Sequence, residues 1–203
     1  MLTEGAEQPR PGAQHDDRMI AAARAVSILG HPIAVSAAAM LFLDGRNDPS
    51  RIPTLALGAV LSAVLVMGYA WLQVRSGRWA HVDASNRSER TSLHRMLLAG
   101  LGFGALAAWH ADDPRAIALG LAAAIVAVAM ATTRWWKLSL HVGFAVYAAA
   151  LLARASPVLC AAGLVFAAAI AWSRLALDRH VPRDLVAGAV TGLAAGVTFT
   201  ALA

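Results

Sequence analysis

Seven apolar stretches, each closed by a polar or proline-marked turn, divide this chain. They cover residues 26–43, 53–74, 96–110, 117–133, 139–152, 158–172 and 185–203. About 20 apolar residues let a helix cross a bilayer, and a segment in hydrocarbon must satisfy its own backbone hydrogen bonds. The pattern therefore predicts an all-α fold, a polytopic transmembrane bundle of six to seven helices. Residues 1–18 are polar, carry Pro9, Pro11, Asp16 and Asp17, and read as a short disordered or interfacial tail, not a cleaved signal peptide. Residues 19–203 read as one transmembrane domain without an internal repeat. His31-Pro32 falls near the start of the first stretch, where a proline costs least. Asp112, Asp113 and Pro114 break the chain between the third and fourth stretches, and Trp135, Trp136 and Lys137 read as an interfacial belt. Gly188, Gly192 and Gly196 recur every four residues, giving the last helix one flat face for close packing.

Composition strengthens the membrane reading. Of 203 residues, 59% are hydrophobic and 14% charged, with a mean hydropathy of +0.59. A soluble domain carries about 25% charged residues because its surface faces water. A buried core helix in a soluble protein accounts for one apolar stretch, not for seven with so little polar sequence to cover them. The net charge of +5 would point to nucleic acid in a soluble chain, but no basic run with interleaved aromatics is present, and nucleic acid is set aside. In a membrane protein basic residues report topology and anionic headgroups first. The single Cys160 excludes an intrachain disulfide or a cysteine metal cluster. Sixteen of the seventeen basic residues are arginine, which with the abundant alanine fits a bacterial, GC-rich origin and hence a plasma (inner) membrane.

Ionisable residues are costly in and beside the bilayer unless they work or pair. Here they gather in residues 75–95, 137–141 and 173–184. Two helices separate the first group from the second, and two more separate the second from the third. An even number of crossings returns the chain to the same face, so all three groups share one side of the membrane. The third group is the sharpest: Ser173-Arg174, five residues, His180, three residues, Asp184. Pro182 and Asp184 suit the first turn of a helix, and the four-residue spacing puts His180 and Asp184 on one face. A carboxylate can hold one imidazole nitrogen as donor and leave the other free to attack. Arg174 offers a planar fork of donors matched to phosphate oxygens.

That pattern, SR-x5-H-x3-D, is the third signature of the type 2 phosphatidic acid phosphatase (PAP2) superfamily, which this chain resembles. Lys137-Leu138-Ser139-Leu140-His141 is similar to the second signature, PSGH, with leucine in place of its proline and glycine. The first, KxxxxxxRP, has its counterpart in Arg78-x4-Asp83-x3-Arg87-x2-Arg90, which lacks the lysine and the Arg-Pro pair and resembles the two-arginine form of small bacterial members. The resemblance covers about residues 26–200.

It implies a transmembrane bundle of that superfamily's type and a metal-independent hydrolase of lipid phosphates or diphosphates. His180 would attack phosphorus to give a phosphohistidine, oriented by Asp184. His141 would protonate the leaving oxygen and then activate water. Arg174, Arg87, Arg90 and Lys137 would hold the phosphate oxygens, with Ser139 and the backbone N–H groups beside it completing the cradle. No cofactor and no metal are implied, and the sequence holds no carboxylate cluster with hard-cation spacing. The expected partners are membrane lipids and the lipid (di)phosphate substrate, foremost a polyprenyl (di)phosphate, because little chain lies outside the bilayer to recognise an elaborate headgroup. His31 and His110 are assigned to structure or interface. Two alternatives use the same residues: a lipid phosphotransferase passing the phosphoryl group to another alcohol, and a lipid-binding protein of this fold without activity. A vanadium haloperoxidase, whose site is similar, is excluded by the bilayer-length helices.

The crossing count also predicts orientation. Thirteen basic residues fall on the side of the three polar groups and four on the other: Arg46, Arg51, Arg115 and Arg154. Setting aside Arg87, Arg90, Lys137 and Arg174 as substrate-binding leaves nine against four. Short basic loops stay cytoplasmic, so the site is expected to face the cytoplasm.

Overall fold

The computed structural model describes residues 11–84, 86–111 and 113–203; the first ten residues of the expected tail, and Asp112, lie outside it. Eight α-helices make up the described chain: α1 (Pro11–Leu29), α2 (Pro32–Asn47), α3 (Ile52–Arg75), α4 (Arg87–His110), α5 (Arg115–Thr132), α6 (Leu140–Leu152), α7 (Pro157–Ala176) and α8 (Pro182–Leu202). A 3-10 turn at Pro49–Arg51 leads into α3. Helices α1, α2, α7 and α8 each begin on a proline, whose missing N–H would be an orphan there and whose φ already suits the helix.

Two expectations change. The first apolar stretch is not one helix: its axis bends by 52° between α1 and α2. Pro32 forces the residue before it out of the helical region, and His31 sits at φ −60°, ψ 137°. Residues 11–18, read from sequence as part of a disordered or interfacial tail, belong to α1. The number of membrane-length helices is smaller than the count of stretches. Residues 49–75, 115–132, 157–176 and 182–202 are long and apolar enough to cross singly, and the bent α1–α2 pair makes a fifth. The third stretch is the inner part of α4, whose first turns are charged. The fifth is the 13-residue α6, about 20 Å long against a hydrocarbon core of about 30 Å. Several long apolar helices nonetheless mark a membrane-embedded protein.

Helix α6 can be short and apolar because it is the centre of the bundle. It packs on α2, α5, α7 and α8, and Val142, Phe144, Ala145, Val146, Tyr147 and Leu151 are buried. Its one interior hydroxyl, on Tyr147, donates to the Ala118 carbonyl of α5 at 3.0 Å. Helix α3 is the opposite case. It buries only Ala70, and Leu57, Val60, Leu61, Val64 and Leu65 stand exposed, the surface that lipid would cover.

The glycine face of α8 lies against α6. A Cβ at Gly188 would stand 2.5 Å from the Ser139 carbonyl oxygen, and one at Gly192 would meet the Gly143 carbonyl. Backbone cannot yield as a side chain end does, and overpacking of this kind costs about 1–3 kcal/mol or more. The crossing therefore requires glycine, and it brings the first turns of α6 and α8 together. At the opposite end, Arg115 Nε binds both Asp113 oxygens at 2.8 and 2.9 Å and its guanidinium lies 4.0 Å from Asp44, tying α5 to α2.

Candidate active site

The three polar groups meet at the end of the bundle away from Arg115. Arg179 pairs with Asp83 of the α3–α4 loop. Lys137 Nζ donates to the Arg179 carbonyl at 2.8 Å, and the Ser139 N–H donates to the Asp184 carbonyl at 3.1 Å. Three loops far apart in sequence thus close on one another, at the one end where the crossing count expects all three.

Local sequence aims the side chains. Helix α7 ends where Asp178 takes a left-handed φ of 52°, and the Arg179 N–H returns to the Arg174 carbonyl at 3.0 Å. The turn sends His180 back across the bundle mouth. Val181 is extended, Pro182 opens α8, and Asp184 occupies its third position. There the carboxylate reaches back to the Val181 N–H at 3.4 Å, the acidic half of a capping box; valine has no oxygen to return the bond. The same carboxylate lies 3.6 Å from His180 Nδ1, and both side chains are under 10% exposed. That separation is an ion-pair distance, longer than a hydrogen bond, and such contacts tighten when substrate closes a site. With Nδ1 facing Asp184, Nε2 is the nitrogen left for chemistry. Burial, then Arg174 and Lys137, push His180 below the ordinary imidazole range, against the opposing pull of Asp184.

The cations converge on the same spot. Burial first, then Arg90, Arg174 and Arg179, hold Lys137 below its usual range, while Asp184 acts the other way. Arg174 extends from the last turn of α7; its Nη1 donates to Ser27 Oγ of α1 at 2.9 Å, and its Nε is buried without a protein partner. His141 occupies the first turn of α6, and the charges acting on it are those of Arg174, His31 and His180. Glu89 shapes the remaining loop. Its buried carboxylate accepts the N–H groups of Ala80 at 2.7 Å and Asn86 at 3.0 Å, tying both to the start of α4.

His180, Asp184, His141, Arg174, Lys137 and Arg90 are therefore brought together. Arg87 stands one turn from Arg90 and lines, with Ser88, Thr91 and Arg95, a separate open groove along α4. Ser139 is fully buried, and its N–H donates to the Asp184 carbonyl, locking α6 to α8. Its Oγ is buried without a partner.

Four residues at the site fall outside the sequence motifs. Arg179 falls among the five unspecified residues between Arg174 and His180. Glu89 was readable as a capping residue three positions after Asn86. Ser27 and His31 carried the signal of a proline break with two polar residues four apart, but nothing in the sequence says which helix they face.

Comparison with protein-family models, with curated proteins and with solved structures returned no match. The functional reading accordingly stands on the residues and their geometry.

Proposed function

We propose that this chain is an integral membrane phosphatase of the type 2 phosphatidic acid phosphatase kind, acting on a lipid phosphate or diphosphate through a phosphohistidine. The observation that carries the reading is the closure of loops 76–86, 133–139 and 177–181 around the buried His180–Asp184 pair. A buried histidine–carboxylate pair ringed by arginines and a lysine, at the end of an apolar bundle, suits an anionic headgroup on a greasy tail. A polyprenyl (di)phosphate is the substrate class proposed.

The steps follow from position. His180 Nε2 bonds to phosphorus as the bond from phosphorus to the leaving oxygen breaks, and His141 gives that oxygen its proton. Arg174, Lys137 and Arg90 take up the charge on the remaining oxygens. Asp184 holds the imidazolium-like ring at Nδ1. In the second step His141 takes a proton from water, the water oxygen bonds to phosphorus, and the bond to His180 breaks.

A phosphate-release assay in detergent across polyprenyl, phosphatidyl and sphingoid phosphates tests the reading. Release is expected from a prenyl (di)phosphate, unaffected by EDTA and blocked by orthovanadate, which takes the trigonal-bipyramidal geometry of the transition state. A strict magnesium requirement would contradict it. Release from no lipid phosphate would favour the inactive lipid-binding alternative, and diversion of phosphate to an added alcohol would mark a phosphotransferase.

The reading also places the catalytic end at the cytoplasmic face of a bacterial plasma membrane. A cysteine at Gln14 in a Cys160→Ala background should stay unlabelled by membrane-impermeant maleimide in intact cells. Labelling there would reverse the orientation.

A further inference from the structure

The elbow between α1 and α2 turns two side chains toward the site that the chemistry above does not use. Ser27 Oγ accepts from Arg174. Four residues later, the His31 ring stands across His141, with centroids 5.5 Å apart and planes at 84°. Between them Gly30 lies against Ile170 of α7, where a Cβ would collide with that side chain. The end of α1 is thereby seated hard on α7.

The His31 ring is itself held. Pro32 keeps its backbone extended, and its Nδ1 accepts the Ile33 N–H at 3.3 Å as the N-cap of α2. The neutral ring then carries its proton on Nε2. Swinging this ring away would strip α2 of its cap, so the cap bond holds the ring that faces His141.

We propose that His31 is a positioning residue for the proton transfer, fixing the ring of His141 at the mouth of α6. The inference rests on the phosphatase reading. His31 neither gives nor takes the proton: His141 still delivers it to the leaving oxygen as the phosphorus–oxygen bond breaks and the bond to His180 forms. A cap alone needs only an acceptor, which asparagine supplies equally well. His31→Asn therefore keeps the helix start and removes the ring.

The purified full chain in detergent, assayed on a prenyl phosphate and on p-nitrophenyl phosphate, separates the possibilities. His31→Asn should lower kcat on the prenyl phosphate by about 10- to 100-fold, the size of a small misplacement of a catalytic group. KM should change little, and the rapid first release of p-nitrophenolate, a step that needs no proton from His141, should hold near wild type even where the later water step slows. In a His141→Ala background the same substitution should cost nothing more, because the two act as one unit. An unchanged kcat on the prenyl phosphate, an equal loss in the phosphorylating step of both substrates, or a loss that adds to that of His141→Ala would each overturn the proposal. A wild-type chain that releases phosphate from neither substrate fails the phosphatase reading itself, and is told apart from an active chain indifferent to His31.

Discussion

His180→Ala should reduce turnover to the uncatalysed background. On the proposed mechanism no other group in the site can form the covalent bond to phosphorus, and Arg174, Lys137 and Arg90 can bind the headgroup but not attack it. The variant should still fold, since His180 lies in the α7–α8 turn and the Asp184 carboxylate keeps its bond to the Val181 N–H. Intact helical content by circular dichroism, with lipid-phosphate hydrolysis lost, is the expected pair of results. Retention of more than a few per cent of activity would exclude His180 as nucleophile. The same residue fixes one limb of the pH profile. Its neutral form is the attacking form, and burial, Arg174 and Lys137 favour that form below the ordinary value of 6.5. The fall in kcat/KM on acidification should accordingly lie below pH 6.5, where a solvated histidine would already be half protonated.

His141→Ala should cost about 100-fold or more in kcat on an alkyl or prenyl phosphate, the ordinary worth of a positioned general acid. The loss should depend on the leaving group. An alkoxide leaves badly without a proton, whereas p-nitrophenolate leaves without one, so the phosphorylating step should lose far less on the aryl substrate, while the water step slows for both. An equal loss in the phosphorylating step of both substrates would assign His141 to packing at the head of α6, not to protonation of the leaving group. The position makes either outcome readable, because α6 is the buried centre of the bundle and a folding defect would register in stability as well as in rate.

Much of this arrangement could be read in the sequence, and the residues explain where reading stopped. Period and hydropathy located the helices because a chain in hydrocarbon has few other options. The glycine spacing of α8 predicted a close crossing, and the Ser139 and Gly143 carbonyls are what it approaches. Parity put three polar loops on one end, since it depends only on counting crossings. The bend at His31-Pro32 was legible as a proline, but not as the end of one helix and the start of another. Whether a proline opens a helix or merely kinks it depends on how neighbouring helices receive the two halves, here Gly30 against Ile170. The backbone partner of Ser139 was illegible for a similar reason. A motif gives the order of donors along the chain, but the Asp184 carbonyl that occupies its N–H comes from another helix. Arg87 and Arg90, three apart and alike in sequence, part company in the fold: one faces the open groove, and the other acts on Lys137.

The central claim is the covalent intermediate at His180. The direct measurement is to denature the enzyme in alkaline detergent during turnover of a lipid carrying radiolabelled phosphate, then locate the label by peptide mapping. The account predicts protein-bound phosphate that survives base, is lost in acid, maps to the peptide holding His180 and is missing from His180→Ala. Full turnover with no phosphate on the protein, or with label at another residue, would contradict it.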